Sequence, residues 1–265
     1  MFTPQQIRPL LEALSHSDAV IVGGQAINLW SETYQKDEEP WISLRPFTSR
    51  DLDALGGAAA LLECSRHVQG QALFPQAGHT TVNTGKLTVV IGGQEVDADF
   101  LSEVKGLNNQ EIRQTAKVIV WNELHLRLLH PILCVESKTV NLMRIQQEPE
   151  ERQDQKHLLL ALANAREFLA EQTPNPATHP VLVRWAQRLR SLANDQLGLE
   201  ATQTHRIDYR TGIPESLWRQ DAGLLGQFLA REWEPWRQEV QKKVADLIEL
   251  AAWLRRLREK PPGTC

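Results

Sequence analysis

The pattern of apolar and polar positions divides the chain into a strand-bearing first half and a helical second half. Ile7, Leu10, Leu11 and Leu14 recur at helical spacing behind Thr3, an N-cap candidate, so residues 4–14 read as a first helix. Ala19 to Val22 is a short apolar run ended by Gly23-Gly24, which fits a buried strand. Gln25 to Tyr34 then reads as a helix with Ala26, Leu29 and Trp30 on one side. Residues 35–46 are polar and proline-bearing, hence a loop or insertion, and 47–55 is strand-like. Residues 56–68 read as a helix whose Ala58-Ala59-Ala60-Leu61-Leu62 run packs on the sheet. Lys86 to Ile91 and Glu95 to Leu101 flank Gly92-Gly93, the pattern of a hairpin.

Val118 to Trp121 is a further strand, and His130-Pro131 marks a break before a helix over 132–143. Glu148-Pro149-Glu150-Glu151 suits the start of the next helix, 150–171, where proline is tolerated and acids meet the positive dipole end. Three prolines punctuate 173–180. Beyond them 181–197 and 223–259 are rich in helix formers, and only 207–213 looks irregular. Trp185, Trp218, Trp233, Trp236 and Trp253 suggest the anchors of a helical bundle, with base stacking as the rival use. Arg255, Arg256 and Arg258 read as a solvated helix face. The expectation is an α+β protein: a small mixed-sheet domain over 1–128 followed by a helical domain over 129–265, with a sub-boundary near 173–180.

Composition narrows the class. The 265 residues are 42% hydrophobic and 23% charged, ordinary for a globular protein, and a net charge of −4 argues against a broad polyanion-binding surface. Cys64, Cys134 and Cys265 are odd in number and lack metal-ligand spacing, as in a reduced intracellular chain. The N-terminus has no signal-peptide pattern, and no apolar run approaches the roughly 20 residues of a membrane helix. A cytoplasmic protein without membrane contact is expected.

The candidate chemistry is acidic. In Phe47-Thr48-Ser49-Arg50-Asp51-Leu52-Asp53, a strand would put Asp51 and Asp53 on one face, where they repel unless a cation lies between them. A solvated turn is the plainer alternative. In Glu95-Val96-Asp97-Ala98-Asp99-Phe100-Leu101, Val96, Ala98 and Phe100 share one face, and Asp97 and Asp99 share the other, as ligands or as solvent-facing acids. Gly23-Gly24 lets the backbone approach a ligand, and the helix start behind it offers N–H groups to an anion; a tight turn without a ligand is the alternative.

Together, Val22-Gly23-Gly24-Gln25-Ala26, the Asp51-Leu52-Asp53 run, Val96 to Leu101, and His130-Pro131 through Lys156 resemble the DNA polymerase beta-like nucleotidyltransferase superfamily. Within it the chain looks most like the AbiEii-type enzymes, which include toxins of type IV toxin–antitoxin systems. The resemblance covers roughly residues 15 to 170. It departs in spacing: Gly24 and Asp51 are farther apart than in compact members, so 31–46 is an insertion.

The resemblance implies that Asp51 and Asp53 hold Mg2+ or Mn2+ bridging the phosphates of a nucleoside triphosphate, and that Asp99 is the third carboxylate, with Asp97 its competitor as a metal ligand. It implies that Gly23, Gly24, Arg50, Lys138 and Asp154 bind the nucleotide, with Arg152 and Lys156 in the same cluster. Asp154 and Lys156, two apart, cannot share a helix face. The implied reaction moves a nucleoside monophosphate to a hydroxyl of RNA (tRNA in some toxin relatives), of a protein or of a small molecule, with an antitoxin protein as a further partner. The rival is a catalytically degenerate binder of the same fold. A dinucleotide-binding fold ranks last, because Gly-Gly-Gln-Ala-Ile-Asn lacks G-x-G-x-x-G.

Overall fold

The computed structural model describes residues 1–75, 83–144 and 153–243, together with 245 and 249. The chain divides into two compact units, Met1–Phe168 and Leu169–Cys265. The division therefore falls some forty residues beyond 128/129, and the first unit takes in one helix and most of a second that the sequence pattern grouped with the helical part. Residues 148–152, where the second of these was expected to start, lie outside the described residues, as do Trp253, the three C-terminal arginines and Cys265.

The first unit is built on one seven-stranded mixed sheet. Its strands are β1 (Val20–Val22), β2 (Leu52–Leu55), β3 (Gln71–Leu73), β4 (Asn83–Ile91), β5 (Gln94–Leu101), β6 (Lys117–Trp121) and β7 (Leu124–Leu128). Across the sheet they run β3-β4-β5-β2-β1-β7-β6. β2 lies antiparallel to β1 and parallel to β5, and β1 is parallel to β7. The expected hairpin is β4–β5, paired from Ile91↔Gln94. Gly92 and Gly93 both have positive φ, the conformation that a two-residue turn between twisted strands demands.

Helices cover the sheet. α1 (Arg8–Ser15) packs against α4 (Ala58–Val68) and β7, while α2 (Gly23–Tyr34) packs against β1, β2 and α6 (Pro131–Arg144). α1 begins at Arg8 rather than at Pro4, because residues 4–7 form a turn in which the Gln6 amide N–H donates to Thr3 Oγ1 at 3.3 Å. Its buried stripe is the expected one: Ile7, Leu10, Leu11 and Leu14. α2 is buried along every residue from Gly24 to Ser31, and its Trp30 indole donates to the Leu129 carbonyl at 2.9 Å. The expected loop at 35–46 contains one helical turn, α3 (Trp41–Leu44), fixed by the fully buried Trp41. α5 (Asn109–Thr115) follows β5.

α7 (Asp154–Gln172) leads into the second unit, whose regular elements among the described residues are all helices, joined by short turns. The run of helix formers over 181–197 falls in α8 (His179–Asn194) and the start of α9 (Gln196–His205). Asp195 separates them, capping α9 by accepting from the Gly198 N–H at 2.7 Å. After α10 (Glu215–Trp218) and α11 (Leu224–Phe228), Trp218, Phe228, Trp233 and Trp236 form a chain of ring contacts with centroids 4.5–6.2 Å apart. Trp218, Trp233 and Trp236 are buried, and Trp185 is half-buried. These rings serve as core anchors. Among the described residues, no helix is long and apolar enough to cross a membrane.

Candidate functional site

The sheet register assembles the acids. Val22 at the end of β1 pairs with Asp53, and Asp53 pairs with Asp99 across the parallel β2–β5 ladder. Side chains paired in this way leave the same face of a sheet. β2 begins at Leu52, so Asp51 is delivered by the bend that enters the strand rather than by the strand itself. Asp51, Asp53 and Asp99 each offer an oxygen within 4.8 Å of the other two, the only such group of acids, histidines or cysteines among the described residues. Asp97, the competitor, is not in it. Its oxygens accept from Lys86 Nζ and Thr88 Oγ1, both at 2.8 Å, which accounts for its charge by local pairing.

Crowding shows in the proton affinities. The Asp53 carboxyl is pushed up to about 7, first by burial and then by the charge of Asp51; Lys138 opposes the rise, Asp99 adds to it and Arg50 opposes it. Burial is also the main cause raising Asp99, with Lys86 opposing and Asp51 and Asp97 adding. Asp97 goes the other way, lowered chiefly by its hydrogen bond from Lys86. Three close carboxylates of this kind are relieved by a retained proton or by a shared cation. Oxygen donors of one sign at this spacing suit a hard metal cation.

The glycine turn abuts the acids. Gly23 has φ +63°, and a Cβ there would collide with the Asp53 carboxylate, so backbone and carboxylate are in direct contact. α2 starts at this residue, and no side chain caps its first turn. A Cβ on Gly24 would collide with Ser49 Oγ and stand 2.8 Å from Cε1 of His157.

A cavity of ≈ 300 Å3 opens beside the acids, lined by Asp51, Asp53, Arg50 and Gly24 on one side and by residues of α6 and α7 on the other. Lys138 of α6 and Asp154 of α7 form an almost fully buried ion pair there, Nζ to Oδ1 3.0 Å, and Asp154 Oδ2 has no hydrogen-bond partner among the described residues. Asp154 and Lys156 diverge, as their spacing requires: Lys156 Nζ instead donates to the Pro46 carbonyl at 2.6 Å. His157 is buried, with Nε2 3.0 Å from the Thr48 carbonyl.

Of the residues singled out in the sequence, the fold brings Gly23, Gly24, Arg50, Asp51, Asp53, Asp99, Lys138 and Asp154 to one region, and holds Asp97 beside it on Lys86. Arg152 lies outside the described residues. Sequence reasoning gave no role to Ser49, Asn141, Gln153 and His157, all of which line the cavity. Two of them carried a signal: Asn141 is three residues from Lys138, and His157 three from Asp154, each pair one helical turn apart.

No known family model matches this chain, and no curated protein does. Among solved structures, an antigenic nucleotidyltransferase-like protein from Paracoccidioides brasiliensis is similar at 14% identity, over 68% of this chain and 94% of its own, with a TM-score of 0.43. JHP933 from Helicobacter pylori is similar at 16% identity over 97% of both chains, with a TM-score of 0.38. Likeness at these identities and scores carries no inference about chemistry, which rests on the geometry of the site.

Proposed function

We propose that the chain is a metal-dependent nucleotidyltransferase of the AbiEii type, moving a nucleoside monophosphate from a nucleoside triphosphate to an acceptor hydroxyl. The observation that carries this reading is the meeting of Asp51, Asp53 and Asp99 against the Gly23 backbone, beside a cavity with a buried Lys138. Asp51, Asp53 and Asp99 would hold the divalent ions. Such ions, when bound, supply positive charge to the phosphate and to the attacking oxygen. Asp99, raised in proton affinity and accepting a long hydrogen bond from Asn83 at 3.4 Å, is suited to take the proton of the acceptor hydroxyl. The uncapped first turn of α2, entered through Gly23 and Gly24, faces phosphate oxygens with N–H groups. Lys138, oriented by Asp154, adds a fixed positive charge on the other wall.

The acceptor is a hydroxyl of RNA, protein or a small molecule; a toxin role, with an antitoxin protein as partner, is what the resemblance to AbiEii-type enzymes adds to this reading. Each α-labelled nucleoside triphosphate is incubated with the protein, Mg2+ or Mn2+, and total cellular RNA and protein. Label transferred to one macromolecular class by the native chain, and lost in Asp53→Asn, supports the proposal. Nucleotide binding without transfer under all these conditions favours the degenerate binder instead.

A further inference from the structure

Two successive residues of α7 hold two carbonyls of the segment that delivers Asp51. Lys156 Nζ donates to Pro46 O at 2.6 Å, and His157 Nε2 lies 3.0 Å from Thr48 O, three residues before Asp51. A carbonyl only accepts, so Nε2 carries the hydrogen. Burial lowers the proton affinity of the ring to about 3, with Lys138 adding to the effect, so the ring is neutral and its donor is fixed on Nε2. The same ring sits against Gly24, where a Cβ would stand 2.8 Å from Cε1. One side chain therefore touches both pieces that flank the acids: the segment leading into Asp51, and the turn whose Gly23 meets Asp53.

The segment has a second tether. Ser49 exchanges backbone hydrogen bonds with Phe2, at 2.7 and 3.0 Å, and Gln25 Nε2 donates to the Phe2 carbonyl at 3.0 Å. Those bonds fix Ser49 from the N-terminal side and leave the Thr48 carbonyl to His157. Asp51 itself lies outside the β2 ladder, so its position depends on this segment rather than on strand pairing.

We propose that His157 is a positioning residue for the carboxylate site, holding Asp51 in reach of Asp53 and Asp99 through the Thr48 carbonyl and through its packing on Gly24. The role rests on the metal reading of the three acids. It differs from a packing role in requiring the Nε2–H donor and not merely a ring.

Calorimetric titration of Mn2+ into the full chain tests it. His157→Phe keeps a flat ring and removes the donor, and His157→Gln keeps a donor at similar reach. The Mn2+ Kd is expected to rise about tenfold or more in His157→Phe, the usual effect of losing an outer partner of a metal ligand, and to stay within about threefold in His157→Gln. Should His157→Phe not fold, His157→Asn, too short to reach Thr48, replaces it with the same expectation. Native Mn2+ affinity in the donor-less variant, or an equal loss in it and in His157→Gln, overturns the role. Asp53→Asn controls for the site itself and must weaken Mn2+ binding. Unchanged Mn2+ binding in Asp53→Asn, or none in the native chain, removes the metal reading and this role with it.

Discussion

Asp53 and Asp99 are paired neighbours on parallel strands, so the β2–β5 ladder forces two carboxylates onto one face at strand separation. Asp97, two residues back on β5, is paired locally with Lys86 and Thr88. The two aspartates of β5 should therefore respond differently to the same substitution. Asp99→Asn keeps size and polarity and should leave nucleotide binding intact while lowering turnover by at least about a hundredfold. Asp97→Asn disturbs a half-exposed pair and should cost under about 1 kcal/mol in stability with little loss of turnover. Steady-state kinetics and denaturant melts of both variants check this, and equal small effects would remove both from the chemistry.

Stability should depend on pH through Asp53. Its carboxyl has an unfolded value of 3.8 and is pushed up to about 7 in the folded chain. Between those values the folded state binds the extra proton, so stability falls as pH rises through that window. Below it both states hold the proton, and above it neither does. The loss is confined to that window. Thermal melts with chelator present should slope downward from pH 4 to 7 in the native chain and be flatter in Asp53→Asn. Mn2+ should bind more tightly as pH rises through 7, since it competes with that proton. An identical slope in both proteins would contradict the assignment.

Gly23→Ala should be more damaging than a routine turn substitution. It places a Cβ at positive φ against the Asp53 carboxylate, so a loss of about 1–3 kcal/mol is expected, with weakened Mn2+ binding. Gly57, at negative φ with open space around it, is the control: Gly57→Ala loses only the N-cap preference of glycine over alanine and should cost up to about 1 kcal/mol without weakening Mn2+ binding.

The Lys138–Asp154 pair has a structural and a chemical side that mutagenesis can separate. Lys138→Met strands a buried carboxylate and should cost about 3–5 kcal/mol, while Lys138→Met with Asp154→Leu should recover most of that loss. Turnover should stay low in the double variant, because the positive wall of the cavity is gone. Recovery of both stability and turnover would make the pair purely structural.

What the sequence makes legible is local. Alternation in Val96 to Leu101 separates the buried Val96, Ala98 and Phe100 from the half-exposed Asp97 and Asp99, and Gly92-Gly93 marks the hairpin. The choice between Asp97 and Asp99 was not settled by alternation, since both share a face; it turns on Lys86 and Thr88 across β4. Likewise His157 meets Thr48 across more than a hundred residues of chain, and Phe2 meets Ser49, contacts with no periodic signature. Strand order is equally hidden: β2 and β5 are made neighbours by the whole sheet, not by any turn between them. The first part of α7 joins the first unit through contacts such as Asn164 Nδ2 donating to the Ile27 carbonyl at 3.1 Å, which composition does not record.

Whether Asp51, Asp53 and Asp99 share a divalent cation is read most directly from crystals grown with Mn2+ and a non-hydrolysable nucleoside triphosphate analogue. Anomalous scattering from manganese should give a peak ligated by oxygens of all three carboxylates, with triphosphate oxygens completing the shell beside Gly23 and Gly24. A manganese peak elsewhere, or three carboxylates without one in crystals that hold the nucleotide, would contradict the account.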